Sequence, residues 1–404
     1  MAAGLAGLSA QRRQIPLAKP SFDAEEERAL VEALRSGWVT QGPRVEEFEA
    51  RFAECVGAEH AVAVSSGTAA LFLSLHALGI GPGDEVVVPS LSFIASANAV
   101  VHCGATPVFA DVEPRSWNLD PEAVDAALTP RTRAVLVVHQ LGMPAALDAI
   151  EALAERAGIE VVEDSACALG SRWRGRPIGS SGHLGCFSFH PRKVVVTGEG
   201  GMIVTADGAL AARLRRLRQQ GMSVSDLDRH RAGRAMVERY DEVGYNFRLS
   251  DLHAALGVVQ LRKLDRLVAA RRAIAERYAE ALRGSEVESF QEPPDAQANY
   301  QSYLVRLRGA ERAQRDAFLD AMQRRWVATR RGLMAAHLEP CHRGARVSGR
   351  LVHTEAAEAQ TVVLPIYADL GAADQDYVIE QIFDAVREVL PDEGGRRVGG
   401  GGRR

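Results

Sequence analysis

Lysine is almost missing from this chain. Of 48 basic residues only Lys19, Lys193 and Lys263 are lysine; the other 45 are arginine. Where a plain positive charge is enough, this chain uses arginine. A lysine kept under that bias is a candidate for chemistry that needs an amine, such as Schiff-base formation. Chance survival explains the same count, and the count alone does not choose. Cysteine is sparse as well. Cys55, Cys103, Cys167, Cys186 and Cys341 are scattered without CxxC spacing, which argues against a disulfide framework or a zinc site and for thiols kept reduced in a cytoplasm. No metal site is expected. No run of about 18 apolar residues occurs, so no membrane span is expected. A formal net charge of -4 gives no pull toward nucleic acid or an anionic membrane. Met1–Gln14 is Ala/Gly-rich and lacks the sustained apolar core of a secretory leader.

What remains is a chain of 404 residues, 47% hydrophobic and 25% charged, which reads as soluble and globular with room for two domains. Asp23–Ser36 has helical spacing of Ala29, Leu30, Ala33 and Leu34, with Gly37 as the stop. From about residue 60 strands and helices alternate. Strands are expected at 61–64, 85–89, 107–111, 134–138, 160–163, 185–189 and 202–205, with helices at 69–77, 93–102, 121–128 and 147–157 among them. Repeated β–α units imply an α/β fold built on a mainly parallel sheet of seven strands, covered by helices on both faces. Residues 252–283 are expected to be helical, burying Leu252, Leu256, Val259, Leu264 and Leu267. The division adopted is a large domain over 1–255, a smaller α+β domain over 256–390, and a Gly/Arg-rich disordered tail over 391–404.

Several clusters carry possible chemistry. Val62–Leu71 runs from strand through Ser66-Gly67-Thr68 into a helix; a helix start offers free N–H groups to a phosphate, and an ordinary capped turn looks the same. The strand at 160–163 runs into two adjacent carboxylates, Glu163 and Asp164. An acid there can hold a pyridine nitrogen protonated, or simply cap the next turn. Ser188-Phe189-His190-Pro191-Arg192-Lys193 sets one of the rare lysines just after a strand, ahead of Thr197-Gly198-Glu199-Gly200-Gly201. Buried near an anion-binding helix start, such an amine can be tuned for imine formation. Phe93 follows a strand end, where an aromatic can stack on a planar ring or pack in the core. Gly244–Asp251 reads as a capping loop with Ser250 or Asp251 as the cap.

In this order the clusters resemble the DegT/StrS-type sugar aminotransferases, over about residues 16–390. The most specific piece is SFHPRK…TGEGG, and the Gly-Tyr-Asn-Phe-Arg loop at 244–248 follows it in order. The resemblance implies a fold-type-I enzyme dependent on pyridoxal 5'-phosphate (PLP). Lys193 would carry the cofactor and Asp164 would partner its ring nitrogen. Gly67, Thr68 and Ser188 would contact its phosphate, and Phe93 would cover its ring. Asn246 would reach the phosphate of a neighbouring subunit, implying a homodimer with shared sites. Trp38 and Thr40 fall in a stretch that resembles part of the sugar pocket. The implied reaction moves an amino group, with glutamate as donor, to a keto-sugar, usually nucleotide-linked. Two positions depart from the pattern. Cys167 stands where many members have His or Gln, and the small-domain His-Tyr-Pro segment is replaced by 328–337, which holds Arg330, Arg331 and His337. Arginine forks suit a diphosphate, so these three are candidate substrate residues. A sugar dehydratase on the same fold and a PLP-binding regulator without turnover are the other readings. The dehydratase branch replaces the lysine with histidine, which Lys193 does not fit.

Overall fold

Between residues 60 and 205 the chain lays down seven strands of one sheet. In the computed structural model, which describes residues 13–390, they are His60–Val64, Glu85–Pro89, Thr106–Ala110, Thr132–Val138, Glu160–Asp164, Leu184–Ser188 and Gly201–Thr205. An eighth strand, Arg346–Val347, is added at the edge by the C-terminal part of the chain. No sequence pattern marked it. Across the sheet the order of first residues is 60, 201, 184, 160, 132, 85, 106, 346. All neighbours run parallel except Gly201–Thr205, which is antiparallel to both of its partners.

Valine-rich strands suit this position because both faces are covered. Successive side chains point to opposite sides. Val86 and Val88 pack in one cluster with Ala70 and Leu73 of the helix Gly67–Ala77. Val87 packs on the other side with Val135, Val137 and Ile150.

The first helix, Ala24–Ser36, has the expected start and stop. Asp23 and Glu26 form a reciprocal capping box, and Gly37 closes the helix at φ 79°. Ser250 caps its own helix, Asp251–Arg262, by accepting from the His253 N–H. Asp251 serves a different helix. Its buried carboxylate accepts from the N–H groups of Gly42, Val45 and Arg44 at 2.8–3.0 Å, closing the start of Pro43–Val56. Burial pushes its pKa up.

The expected buried face of Asp251–Arg262 needs correction. Leu252 and Leu256 are only half-buried, and the covered line is Asp251, Ala254, Ala255, Gly257, Val258 and Val259. Small residues let this helix sit close on Pro43–Val56: a Cβ on Gly257 would lie 2.5 Å from the Phe48 ring. Leu264 and Leu267 are buried as expected.

The helix Asp251–Arg262 runs unbroken through the expected division at 255/256. The next helix, Leu264–Ala281, carries Ile274 and Tyr278 into a second core. That core is built on a four-stranded antiparallel sheet of Val287–Ser289, Tyr303–Leu307, Thr361–Leu364 and Arg330–Arg331, backed by Arg312–Arg324 and Ala372–Val389. Ile15, far away in sequence, is buried in it. The Ile15 N–H donates to Trp326 O and its carbonyl accepts from Ala328, both at 2.9 Å. The tail expected to be disordered lies outside the described residues, as does most of Met1–Gln14. Among the described residues no helix is long and apolar enough to cross a membrane.

Candidate active site

Five of the parallel strands and their loops deliver side chains to one cavity of about 270 Å³ at the carboxyl edge of the large sheet. Lys193, Asp164, Gly67, Thr68, Phe93 and Ser188 all line it. These are the six residues of the cofactor set expected within one chain.

The helix Gly67–Ala77 begins at the cavity. Ser66 caps it, its Oγ accepting from the Ala69 N–H at 3.1 Å. The N–H groups of Gly67 and Thr68 have no partner among the described residues. The helix dipole adds positive potential at this end. Glycine is required at 67, because a Cβ there would lie 2.8 Å from the Ser188 Cβ. That close approach brings the Ser188 hydroxyl, at the end of Leu184–Ser188, to the same corner as Thr68.

Asp164 is the last residue of its strand and is 6% exposed. Its carboxylate accepts from Ser96 Oγ at 2.7 Å and from the Ala166 N–H at 3.2 Å, and no cation pairs with it among the described residues. The adjacent Glu163 points to the opposite face, as period-two alternation requires. It is buried against His139 Nε2 at 3.0 Å and bonded by Ser181. Burial pushes the Glu163 pKa up, and hydrogen bonds from His139 and Ser181 outweigh this and hold it below the ordinary value. His139 Nδ1 accepts from the Ala145 N–H at 3.0 Å, so the ring proton sits on Nε2 and faces Glu163. The two adjacent carboxylates therefore separate. Asp164 serves the cavity, and Glu163 anchors His139, which lines the cavity wall.

Lys193 is half-buried, and its Nζ lies 3.1 Å from Cys167 Sγ. It has no carboxylate partner among the described residues. Phe93, half-exposed, stands at the cavity mouth.

The remaining candidates divide. Arg330 lines the cavity. Arg331, next to it on a two-residue strand, points away and pairs with Glu339 at 2.9 Å. His337 is also outside the cavity lining, its Nδ1 bonded to Ser90 Oγ at 2.7 Å and its Nε2 within 3.5 Å of Glu355. Strand alternation and internal pairing thus leave Arg331 and His337 outside the lining of their own chain's cavity. Trp38, packed edge-on to His230, and Thr40, whose carbonyl accepts from Asp251 N, lie outside the lining of their own chain's cavity. So does Asn246, which is exposed and bridged to Gln219.

The donor set fits PLP. Free N–H groups at a helix start and two hydroxyls suit a phosphate. An unpaired buried carboxylate suits a pyridinium, and an uncommitted amine suits an aldehyde. The model of the DegT/DnrJ/EryC1/StrS aminotransferase family matches residues 20–383. The chain belongs to this family. It is a PLP-dependent aminotransferase. Its structure is similar to the aminotransferase TlmJ from Streptoalloteichus hindustanus, with 37% identity, a TM-score of 0.86, and 93% of this chain covering 100% of that one. DesV from S. venezuelae gives 37% identity, a TM-score of 0.83 and coverage of 94% and 100%. The putative sugar aminotransferase Spr1654 from Streptococcus pneumoniae, in its PMP form, gives 27%, 0.88, and coverage of 93% and 100%.

Sequence reasoning missed several residues around this aminotransferase site. Ser96 and His139 carry no motif, because each matters only through a partner far away in sequence. Gln301 and the arm residues Leu17 and Ala18 reach the cavity from the second core and the N-terminus. Arg192 lies inside the SFHPRK stretch, where the sequence gives it no role apart from its neighbour Lys193.

Proposed function

We propose that the enzyme transfers an amino group from glutamate to a nucleotide-linked keto-sugar, in a homodimer whose sites are shared. The observation that carries the catalytic part is the amine of Lys193, uncommitted to any carboxylate, in one cavity with Asp164 and the open helix start. Gly67, Thr68 and Ser188 would hold the cofactor phosphate. Asp164 would keep the ring nitrogen protonated, and Phe93 is the aromatic available to a ring face. When bound, the cofactor supplies an electron sink for the carbon that gains or loses the amine. Lys193 then holds and returns a proton at that reacting carbon. All five cysteines are free, which suits a reducing cytoplasm.

The sugar substrate is supported by the family and by the similarity to Spr1654, a putative sugar aminotransferase. L-glutamate added to the yellow holoenzyme should move its absorbance from the aldehyde to the amine form, and a nucleotide-linked keto-sugar should move it back. A cofactor-loaded protein that does not respond to glutamate would refute the donor assignment.

Exposure of Asn246 outside its own cavity supports a role across an isologous interface. Mixing Asn246→Ala with Lys193→Ala subunits should restore about one working site per hybrid dimer. Hybrids that form but stay inactive would mean that each site belongs to one chain.

A further inference from the structure

Two guanidinium groups line the cavity with no partner among the described residues. Arg192 comes from the loop that carries Lys193, and Arg330 comes from the small antiparallel sheet. Neither side chain has a hydrogen bond or ion pair among the described residues, whereas Arg331 is paired with Glu339. Glu199, the carboxylate that lines the cavity besides Asp164, pairs with neither arginine. Arg330 is half-buried and Arg192 is exposed at the cavity's edge; a half-buried guanidinium with no acceptor, as at Arg330, is costly to keep unless something else supplies one.

The backbone at both arginines is fixed. Strand pairing of Arg330 with Val363, which also lines the cavity, turns Arg330 inward. The next residue, Gly332, donates its N–H to Thr361 O at 2.9 Å, and a Cβ on it would lie 1.9 Å from Thr361 Oγ1. The strand is thereby clamped. The carbonyl of Arg192 accepts from Gln301 Nε2 at 2.8 Å, tying that loop to the second core. Burial first, then the charge of Arg192 and that of Arg331, lowers the pKa of Arg330. An anion would relieve all three.

We infer that Arg192 and Arg330 form an oxyanion subsite beside Lys193 that binds the carboxylate or phosphate oxygens of a substrate. The donor carboxylate is the favoured source. Every amino-acid donor carries that group on the reacting carbon itself, and Lys193 and Arg192 are consecutive residues. A phosphate on the acceptor is the second source of the same chemistry. This inference rests on the proposed glutamate-to-keto-sugar reaction for its substrates, but its test does not.

The test titrates the holoenzyme calorimetrically with glutarate, a dicarboxylate with no amine to transfer, and separately with inorganic pyrophosphate. Arg330→Gln and Arg192→Gln should each weaken binding of the recognised probe by about 10- to 100-fold, the usual cost of one charge-assisted contact. Arg330→Lys should recover only part, because a point charge lacks the fork. Weakened glutarate with unchanged pyrophosphate assigns the subsite to the donor. The reverse assigns it to the acceptor's phosphate, and loss of both supports one oxyanion subsite for either. Wild type that takes up neither probe overturns the inference, as do two folded variants that bind both normally. Folding is checked by melting temperature. If glutamate fails to convert the cofactor while glutarate binding remains and depends on Arg330, the donor reading falls and the subsite stands.

Discussion

Lys263 and Lys193 both lie where a helix or strand gives way to a turn, and only one of them has its charge answered. Lys263 is 9% exposed, with its Nζ 2.7 and 2.9 Å from the two Glu26 oxygens and 2.8 Å from Asp23. It ties the first helix to the junction of Asp251–Arg262 and Leu264–Ala281. Lys193 has a thiol at 3.1 Å and, among the described residues, no carboxylate partner. An arginine-rich chain can thus keep a lysine for two reasons. At 263 a compact ammonium with three donors fits a carboxylate cluster. At 193 the proposed role calls on the nitrogen itself as the reagent.

The largest test of this contrast is catalytic. Lys193→Ala should lose the bound cofactor's visible absorbance and at least about 10³-fold in turnover. Lys263→Met should keep both, and borohydride should label residue 193 alone. A Lys263→Met protein that no longer binds PLP would break the comparison. Stability should rank the other way. Removing Lys263 strands a buried Glu26 and should cost about 3 kcal/mol in denaturant unfolding. Lys193→Ala, with no ion pair to lose, should cost within about 1 kcal/mol in the apoprotein.

The smallest effect is on the acid limb. Asp23 is lowered from 3.8 to about 2 by the hydrogen bond from Lys263, and Glu26 is lowered as well, its hydrogen bonds from Lys263 and neighbours overcoming burial. Carboxylates depressed in the folded state stabilise it above their unfolded pKa. They lose that contribution as pH falls through the folded value. Wild type should therefore weaken more steeply than Lys263→Met between about pH 4 and pH 2. Parallel acid limbs would mean that the cluster adds little.

Much of the large sheet was legible because its cues are local. Strand alternation, the Asp23 and Gly37 caps and the glycine at 67 each act within a few residues. That the six expected cofactor residues share one cavity has a related reason, since parallel strands bring their carboxyl ends to one edge whatever the loops do. What escaped depends on facing. Glu163 and Asp164 look equivalent in the sequence, as do Arg330 and Arg331. In each pair the strand turns one residue into the cavity and the other toward an internal partner, His139 or Glu339. The partners sit 24 and 8 residues away, so no short window reveals which is which. Leu252 and Leu256 misled for the opposite reason: the helix packs through its small residues, and hydrophobic periodicity favours the large ones.

The edge strand Arg346–Val347 has a consequence for how the protein is made. Thr106–Ala110 presents its outer hydrogen-bonding edge until Arg346–Val347 arrives, and Ser348 then donates to Phe109 O at 2.8 Å while Arg346 bonds Glu85 at 2.6 Å. During synthesis that edge waits for more than half the chain to leave the ribosome. An uncovered apolar strand invites pairing with a second nascent chain. Shortened forms that stop before residue 346 would carry this exposure permanently. Their solubility, more than their fold, would decide whether the large domain can be produced alone.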